Sequence, residues 1–247
     1  MNSSKIPVSI IIPIRNEAAN LPRCLASVAW ADEVFVVDSQ STDGSIGIAT
    51  HAGANVVQFH FNGIWPKKKN WALENLPFRH EWVFILDADE VLPPETGPEI
   101  AALIARDGAG QAGFWINRRF MFMGGWLRHA YYPNWNLRFF RHRCGRYEQL
   151  VRGDTQSGDN EVHEHILVDG STGHLRTEMD HYAFPRSMSS SRNTTGTPTG
   201  RPGWSSRTAC AFPAASCRRP RPGGGAGSSA GPAGCRFVRC SAFFTCT

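Results

Sequence analysis

Acidic residues and lysine are absent from the last quarter of the chain. From Arg186 to Thr247 there are nine arginines but no lysine, aspartate or glutamate. Residues 1–185 therefore carry 17 basic and 21 acidic side chains, and the formal charge of +5 of the 247-residue chain comes from its C-terminal part alone. This distribution argues against a basic nucleic-acid-binding surface on residues 1–185, and we expect no nucleic-acid partner.

Long apolar runs and an export signal are also lacking. No stretch approaches 18 apolar residues, so we expect no membrane-spanning helix. The N-terminal apolar run is short, breaks at Pro13 and does not have the pattern of a secretory signal. Only Cys24 and Cys144 precede residue 186. Two isolated cysteines without an export signal indicate a reducing compartment, and we expect a cytoplasmic protein.

Short apolar runs alternate with helical patterns over residues 1–185. The runs predict strands, and the segments between them, including 67–76 and 95–106, predict helices. This alternation predicts an α/β fold with a mostly parallel sheet flanked by helices, and ligands in such sheets bind at the carboxyl ends of the strands. The predicted strands are VSIII (8–12), VFVV (34–37), ANVVQF (54–59), WVFIL (82–86) and GFWINRR (113–119).

Residues 186–247 have a different character. They are rich in Ser, Gly, Pro and Arg and show neither helical nor strand periodicity. Such a segment buries too little apolar surface to offset the entropy of ordering, so we predict a disordered tail. Our hypothesis is that a frameshift replaced the true C-terminus, which leaves a C-terminally incomplete domain at 1–185. A genuine basic tail and a disulfide-bonded module are the alternatives.

The strongest candidate site is the segment LDADE at residues 86–90. Asp87 and Asp89 follow an apolar strand, so both carboxylates fall on a turn at the sheet edge. Mg²⁺ and Mn²⁺ prefer hard oxygen ligands and keep positions for phosphate oxygens. We predict that Asp89 binds the metal directly. We expect Asp87 to contact the nucleotide ribose or a metal-bound water, and we count it with Asp89 as a residue of the metal site. The alternative is a solvated turn with a helix cap, because Asp-x-Asp alone is a common pattern.

The segment VVDSQSTDGS at 36–45 brings a second acidic group to the same edge. Asp38 ends the second predicted strand, where its carboxylate can accept hydrogen bonds from a base or ribose. Thr42, Asp43 and Gly44 are better explained as turn and cap residues of the next helix. Asp38 is therefore the candidate binding residue of this segment.

The segment IIPIRNE at 11–17 ends the first strand. Pro13 terminates the strand, and the backbone here can approach a nucleotide, with Glu17 near the base or ribose. Asn16 either contacts the nucleotide or caps the following helix. We count Pro13, Asn16 and Glu17 among the nucleotide-sugar-binding residues.

Three lysines precede the helix predicted at 67–76. Cations and a helix N-terminus favour the binding of a diphosphate. We therefore select Lys69 as the residue that contacts the diphosphate of a nucleotide-sugar donor. A solvated lysine face is the alternative.

The segment NEVHEHILVDG at 160–170 contains the predicted general base. Transfer by direct displacement needs a base within hydrogen-bond reach of the acceptor hydroxyl. Glu164 is the candidate, and His163 would assist, orient it or bind metal. The alternative is that the two side chains lie on a strand without a chemical role.

Aromatic and basic residues interleave over residues 118–143. The aromatic rings offer stacking surfaces for sugar rings, and the arginines could meet acidic or phosphorylated acceptors. Interleaved basic and aromatic residues also suit single-stranded nucleic acid, and core aromatics with surface arginines are the further alternative. The residues are Trp126, Tyr131, Tyr132 and Trp135, with Arg118, Arg119, Arg128, Arg138 and Arg141.

These motifs, in this order and spacing, resemble those of family 2 glycosyltransferases of the GT-A fold. KKKNWAL, LDADE and EVHEHI resemble segments of the lipopolysaccharide core β-1,4-glucosyltransferase group, and the resemblance covers about residues 6–185. It implies an inverting single displacement with a UDP-sugar donor, Mg²⁺ or Mn²⁺, and an inner-core heptose acceptor. It also implies a place at the cytoplasmic face of the inner membrane. Asp38 and Glu17 would contact the uridine.

Three other functions remain open from the sequence. A nucleotidyltransferase would share the phosphate and metal chemistry, although a Gly-rich phosphate loop with a lysine is not evident near the N-terminus. A nucleic-acid binder would act through the arginine-rich tail. A catalytically dead product would follow from the frameshift.

Overall fold

The computed structural model describes residues 5–63, 66–129, 131–149 and 165–182, all within the first of two compact units, residues 1–192. In the described residues the helices are α1 (Leu21–Ser27), α2 (Ser45–His51), α3 (Lys68–Asn75) and α4 (Thr96–Ile104). The strands are β1 (Ile6–Ile14), β2 (Ala31–Asp38), β3 (Asn55–Gln58), β4 (Trp82–Ile85), β5 (Glu90–Val91), β6 (Gly113–Phe122), β7 (Gly125–Trp126), β8 (Trp135–Arg141), β9 (Gly145–Tyr147), β10 (Ile166–Val168) and β11 (Thr172–His181).

The central sheet has nine strands and a mixed pattern. Its order is β3-β2-β1-β4-β8-β6-β11-β5, and β7 pairs with β6 off this path. The first four strands are parallel, and β8 joins β4 and β6 antiparallel. Strand β11 runs parallel to β6 and antiparallel to β5. The parallel part therefore holds the predicted nucleotide-binding edge, and the antiparallel part extends the sheet beside it.

Helices cover both faces of the sheet. On one face, α1, α2 and α4 pack against β1 through one core cluster that includes Ile10, Ile12 and Ile100. On the other face, α3 and the two-stranded β9–β10 sheet pack around a second cluster that includes Ile11 and Ile85. Because β1 and β4 are buried on both faces, their sequences are continuous apolar runs. The predicted α/β class is confirmed.

The sequence predicts that Asn16 either contacts the nucleotide or caps the helix that follows β1, and the structure excludes the cap. Helix α1 begins at Leu21, so Asn16 is not its N-cap. Asn16 has a φ of 57°, a left-handed conformation that asparagine tolerates better than most residues. Residues 15–20 therefore form a loop between the end of β1 and the start of α1.

Several sequence predictions concern residues outside the described ranges. The predicted tail at 186–247 and the candidate base Glu164 with His163 lie there. Among the described residues, no helix is long and apolar enough to cross a bilayer.

Candidate functional site

A pocket of about 420 Å³ lies at the carboxyl ends of β1 and β4, where the loops after both strands meet. Parallel strands bring their C-terminal loops to one edge, which explains why segments far apart in sequence share this pocket. Of the predicted site residues, Pro13, Glu17, Lys69, Asp87 and Asp89 line it. The lining also includes Ile14, Arg15, Lys68, Ala88 and His181.

Asp87 is held between two cations. Lys69 Nζ lies 2.8 Å from its Oδ1, and Arg138 Nη2 donates to its Oδ2 at 2.7 Å. Burial alone would raise the pKa of Asp87, but Arg138 and Lys69 outweigh it and hold that pKa far below its usual value. Asp87 is therefore an anion whose two oxygens both have a cationic partner, not a freely solvated turn residue.

Glu90 lies behind Asp87 and was not predicted. Its side chain is fully buried, accepts the Asp87 N–H at 2.9 Å and receives Arg138 at 2.9 Å. Arg118 Nη1 approaches it at 3.4 Å. Burial raises the pKa of Glu90 above its usual value. The charge of Arg138 lowers this pKa, and the charge of Asp87 raises it further. Side chains of alternating charge therefore form a row of consecutive ion pairs, in the order Lys69, Asp87, Arg138, Glu90 and Arg118.

Asp89 projects from the other side of the turn and meets His181. Its Oδ2 lies 3.1 Å from His181 Nε2. The contact depends on β11, because β5, which begins one residue after Asp89, pairs with the end of β11. The ring of Phe120 lies edge-on against the imidazole at a centroid distance of 5.1 Å. A histidine 92 residues away in sequence therefore joins the acidic turn.

The side chains around Asp89 fit a divalent cation whose remaining coordination positions are filled by a bound ligand. Within the described ranges no group of three or more His, Cys, Asp or Glu side chains forms a ready metal cluster. The Asp89 and His181 atoms, however, are separated by about the 3 Å expected of neighbouring ligands on an octahedral ion. The buried Nδ1 of His181 has no partner among the described residues. One carboxylate and one imidazole would leave positions for phosphate oxygens and water.

The lysine run is buried and does not form the solvated face considered above. Lys67 and Lys68 are almost fully buried, and Lys68 Nζ donates to the Ile14 carbonyl at 3.1 Å. Lys69 has 17% of its side chain exposed. Burial lowers the pKa of Lys69, but the charges of Asp87 and Tyr147 and the hydrogen bond to Asp87 together raise it above its usual value. Lys68 and Lys69 therefore bring two ammonium groups to the pocket, and that of Lys69 lies directly against Asp87.

Glu17 lines the pocket near the acidic turn. Partial burial raises its pKa, the amide of Asn20 lowers it through a 3.0 Å hydrogen bond, and the charge of Asp89 raises it again. The Glu17 N–H donates to Ser45 Oγ at 2.9 Å. The carboxylate is thus placed by contacts from the loops on either side of it.

Asn16 and Asp38 hold the loops that follow β1 and β2. Asn16 Oδ1 accepts the Thr42 N–H at 2.8 Å, and the Asn16 N–H donates to Ser41 Oγ at 2.8 Å. Asp38 is fully buried and accepts bonds from the Ser41 N–H at 3.0 Å, from Gln58 at 2.8 Å and from the Ser41 hydroxyl. Neither side chain lines the pocket described above. Their predicted contact with a nucleotide stays a prediction.

The aromatic and basic segment is distributed over several environments. Trp126 packs edge-on against Tyr132, and the guanidinium of Arg128 lies 5.1 Å from the Trp126 ring. Arg141 points to the opposite end of β8, where it pairs with Glu81 and Asp107. The expectation that Arg138 faces an acceptor is wrong, because its side chain is buried against Asp87 and Glu90.

Comparison with known proteins defines the class. Residues 9–162 match the sequence model of Glycosyl transferase family 2, and the chain belongs to that family. Membership agrees with the predicted GT-A class and with the α/β sheet that carries helices on both faces.

Particular relatives refine the class. The lipopolysaccharide core biosynthesis glycosyltransferase LpsC of Rhizobium meliloti is 30% identical over 186 residues, which cover 70% of this chain and 62% of the relative. An uncharacterized glycosyltransferase of Rickettsia felis is 39% identical over 99 residues, 40% of this chain and 34% of the relative. The chain therefore spans less than two thirds of the length of these relatives.

Solved structures show partial similarity. Residues 1–349 of S. aureus TarS match with a TM-score of 0.44 and 23% identity, over 56% of this chain and 47% of that one. Glucosyl-3-phosphoglycerate synthase of Mycobacterium tuberculosis, in complex with Mn²⁺, UDP and glucosyl-3-phosphoglycerate, matches with a TM-score of 0.37 and 22% identity. The match covers 46% of this chain and 44% of that structure.

Proposed function

We propose that this family 2 glycosyltransferase transfers glucose from a UDP-sugar to an inner-core heptose of lipopolysaccharide, with inversion and with a divalent metal. The observation that supports the donor site most strongly is the meeting of Asp87, Asp89, Lys68 and Lys69 in one pocket at the carboxyl ends of parallel strands. Carboxylates for a cation and ammonium groups for phosphate oxygens are the two requirements of a metal-bound nucleoside diphosphate. The similarity to the R. meliloti enzyme supports the acceptor class.

The proposal assigns roles to the predicted donor-site residues and to Lys68 and His181. Asp89 and His181 hold Mg²⁺ or Mn²⁺, with Asp87 beside them. When bound, the metal stabilises the negative charge of the departing diphosphate. Lys68 and Lys69, which line the same pocket, bind the diphosphate oxygens. Glu17 and Asp38 contact the uridine, and Pro13 and Asn16 shape the loop that receives it.

The acceptor is activated by residues outside the described ranges. Glu164 takes the proton of the acceptor hydroxyl, and His163 orients it or assists. The hydroxyl oxygen then displaces UDP from the anomeric carbon in one step, so the configuration at that carbon inverts. The protein acts in the cytoplasm, at the inner-membrane face where its lipid-linked acceptor is found.

A transfer assay tests the proposal. The full chain is incubated with Mn²⁺, a heptose-containing core saccharide and radiolabelled UDP-glucose, UDP-galactose or UDP-N-acetylglucosamine. We expect transfer from UDP-glucose and a β-configured product by NMR. Replacement of the metal-binding carboxylate, Asp89→Asn, should lower the rate by roughly 100-fold, because the charge of the leaving diphosphate is then poorly stabilised.

Asp169→Asn is the matched control. Asp169 has 81% of its side chain exposed and, within the described ranges, its carboxylate forms a long ion pair with Arg146 at 3.6 Å, so this variant should transfer at the wild-type rate. Equal activity of the Asp89 variant and the wild type would contradict the site assignment. Release of pyrophosphate from UTP and a sugar phosphate, without glycosyl transfer, would favour a nucleotidyltransferase instead.

A further inference from the structure

A buried guanidinium lies directly behind the acidic turn. Arg138, on β8, is only 6% exposed although it is charged. Strand β8 pairs antiparallel with β4 as far as Phe84 and Phe139, so Arg138 follows at the end of β4, where the chain leaves the sheet towards Asp87. The pairing of two strands therefore fixes the place of this cation relative to the turn.

One nitrogen of Arg138 joins two carboxylates. Its Nη2 lies 2.7 Å from Asp87 Oδ2 and 2.9 Å from Glu90 Oε1. Glu90 in turn accepts the backbone N–H of Asp87 at 2.9 Å. The Asp87 carbonyl accepts the Glu90 N–H at 2.9 Å and lies 3.6 Å from the thiol of Cys24. Side chain and backbone of Asp87 are thus held from behind, on the side away from the pocket.

Stability alone does not require this network. Removing two carboxylates and a guanidinium from water costs several kcal/mol for each ion, and well-packed apolar residues stabilise such a position as well or better. In sequence the network is flanked by the buried apolar residues Leu86, Leu137 and Phe139. What the network adds is a defined orientation of Asp87, which has 29% of its side chain exposed and lines the pocket.

We propose that Arg138 is a positioning residue of the donor site, which acts through Asp87 and sets the affinity for a nucleoside diphosphate. The inference rests on the proposed function. Arg138 holds Oδ2 of Asp87 and leaves Oδ1 facing Lys69. The carboxylate and the ammonium therefore form one prearranged pair for the ribose and phosphate of the donor. Without Arg138, Asp87 would lose this orientation even if the fold were retained.

The test separates orientation from folding. Arg138→Met leaves Asp87 and Glu90 buried without their shared cation and should lower both the melting temperature and the affinity for UDP. The double variant Arg138→Met with Glu90→Gln also removes the fully buried charge of Glu90, and glutamine can still accept the Asp87 N–H. We expect it to recover thermal stability while binding UDP at least about tenfold more weakly than the wild type.

A matched control carries a similar defect far from the pocket. Arg79 pairs with the buried Glu33 at 2.9 Å, near the start of β2, roughly 16 Å along the strand from Asp38. Arg79→Met should lower the melting temperature and leave the UDP affinity within twofold of the wild type. Because 59% of the Arg79 side chain is exposed and only Glu33 is buried, this variant shows whether removing the cation from a buried carboxylate by itself weakens binding.

Titration of UDP into each variant with saturating Mn²⁺ gives the result. If the double variant regains stability and wild-type affinity together, Arg138 is merely structural and the inference is overturned. The same holds if Arg79→Met weakens UDP binding as much as the double variant does. If the wild type itself does not bind UDP, the proposed function fails and the inference falls with it.

Discussion

At the residue scale, the site depends on how Asp43 joins two loops. Asp43 Oδ2 accepts the Ala18 N–H at 3.0 Å, and its Oδ1 accepts the Ser45 N–H at 3.0 Å and the Ser45 hydroxyl. Ser45 Oγ in turn receives the Glu17 N–H. The sequence predicts a turn or cap residue at Asp43. In the structure Asp43 also links the loop after β1 to the N-terminus of α2 and so fixes one wall of the pocket.

This link should depend on pH. The hydrogen bond from the Ser45 hydroxyl, with weaker contributions from backbone N–H groups, lowers the pKa of Asp43. A carboxyl group whose folded pKa is depressed stabilises the fold above its unfolded pKa, about 3.9, and this contribution disappears as the pH falls through the folded pKa.

The measurement is the melting temperature of the wild type and of Asp43→Ala between pH 7 and pH 3. We expect the wild type to melt higher at pH 7 and the difference to narrow towards pH 3. A difference that stays constant over this range would show that the ionised carboxylate does not contribute.

Some site residues were predictable one by one and others were not. Asp87, Asp89 and Lys69 stand beside an apolar strand or a helix start, so their place at the sheet edge follows from local sequence. Arg138 looked like one of several surface arginines. Its burial depends on which strand β8 joins, and nothing in its neighbouring residues encodes that pairing.

At the element scale, α3 and the β9–β10 sheet are held together by Asn70. Its Nδ2 donates to the Tyr147 carbonyl at 3.0 Å, and its Oδ1 accepts the Tyr147 N–H at 2.8 Å. The amide is buried, so both bonds are made away from water. Asn70 thus anchors the helix that carries Lys68 and Lys69 to the second layer of the fold.

Loss of this amide should loosen the β9 strand. Asn70→Ala leaves the Tyr147 N–H and carbonyl without their partner, and we expect a cost of about 1–3 kcal/mol in the free energy of unfolding. Denaturant unfolding measures the cost, and amide hydrogen exchange should accelerate at Tyr147. Asn75→Ala is the control, because that exposed amide donates within its own helix, to the Trp71 carbonyl. Equal stability of the Asn70 variant and the wild type would refute the anchoring role.

The order of elements was predictable in part. The parallel strands β1, β2 and β4 each contain a continuous apolar run of at least three residues, as burial on both faces favours. Strand β11 has the sequence TGHLRTEMDH, with more polar than apolar residues, and it inserts between β6 and β5. That insertion brings His181 to Asp89. It follows from long-range pairing and not from any local pattern.

At the scale of the whole molecule, family membership rests on residues 9–162. The motif order was sufficient to predict the family and the α/β class. The hypothesis of a frameshifted C-terminus and the assignment of Glu164 as the base stay predictions, because both concern residues outside the described ranges. The described residues therefore include the pocket proposed for the nucleotide-sugar donor, but not the proposed base.

The most direct test of this account is calorimetric titration of UDP into the full chain, once with Mn²⁺ and once with a chelator. The account predicts saturable binding at one site with Mn²⁺. It also predicts at least about tenfold weaker binding with the chelator or in Asp89→Asn, because the cation that joins Asp89 to the diphosphate is then lost. Absence of binding with Mn²⁺, or equal affinity under all three conditions, would contradict the assignment of this pocket as a metal and diphosphate site.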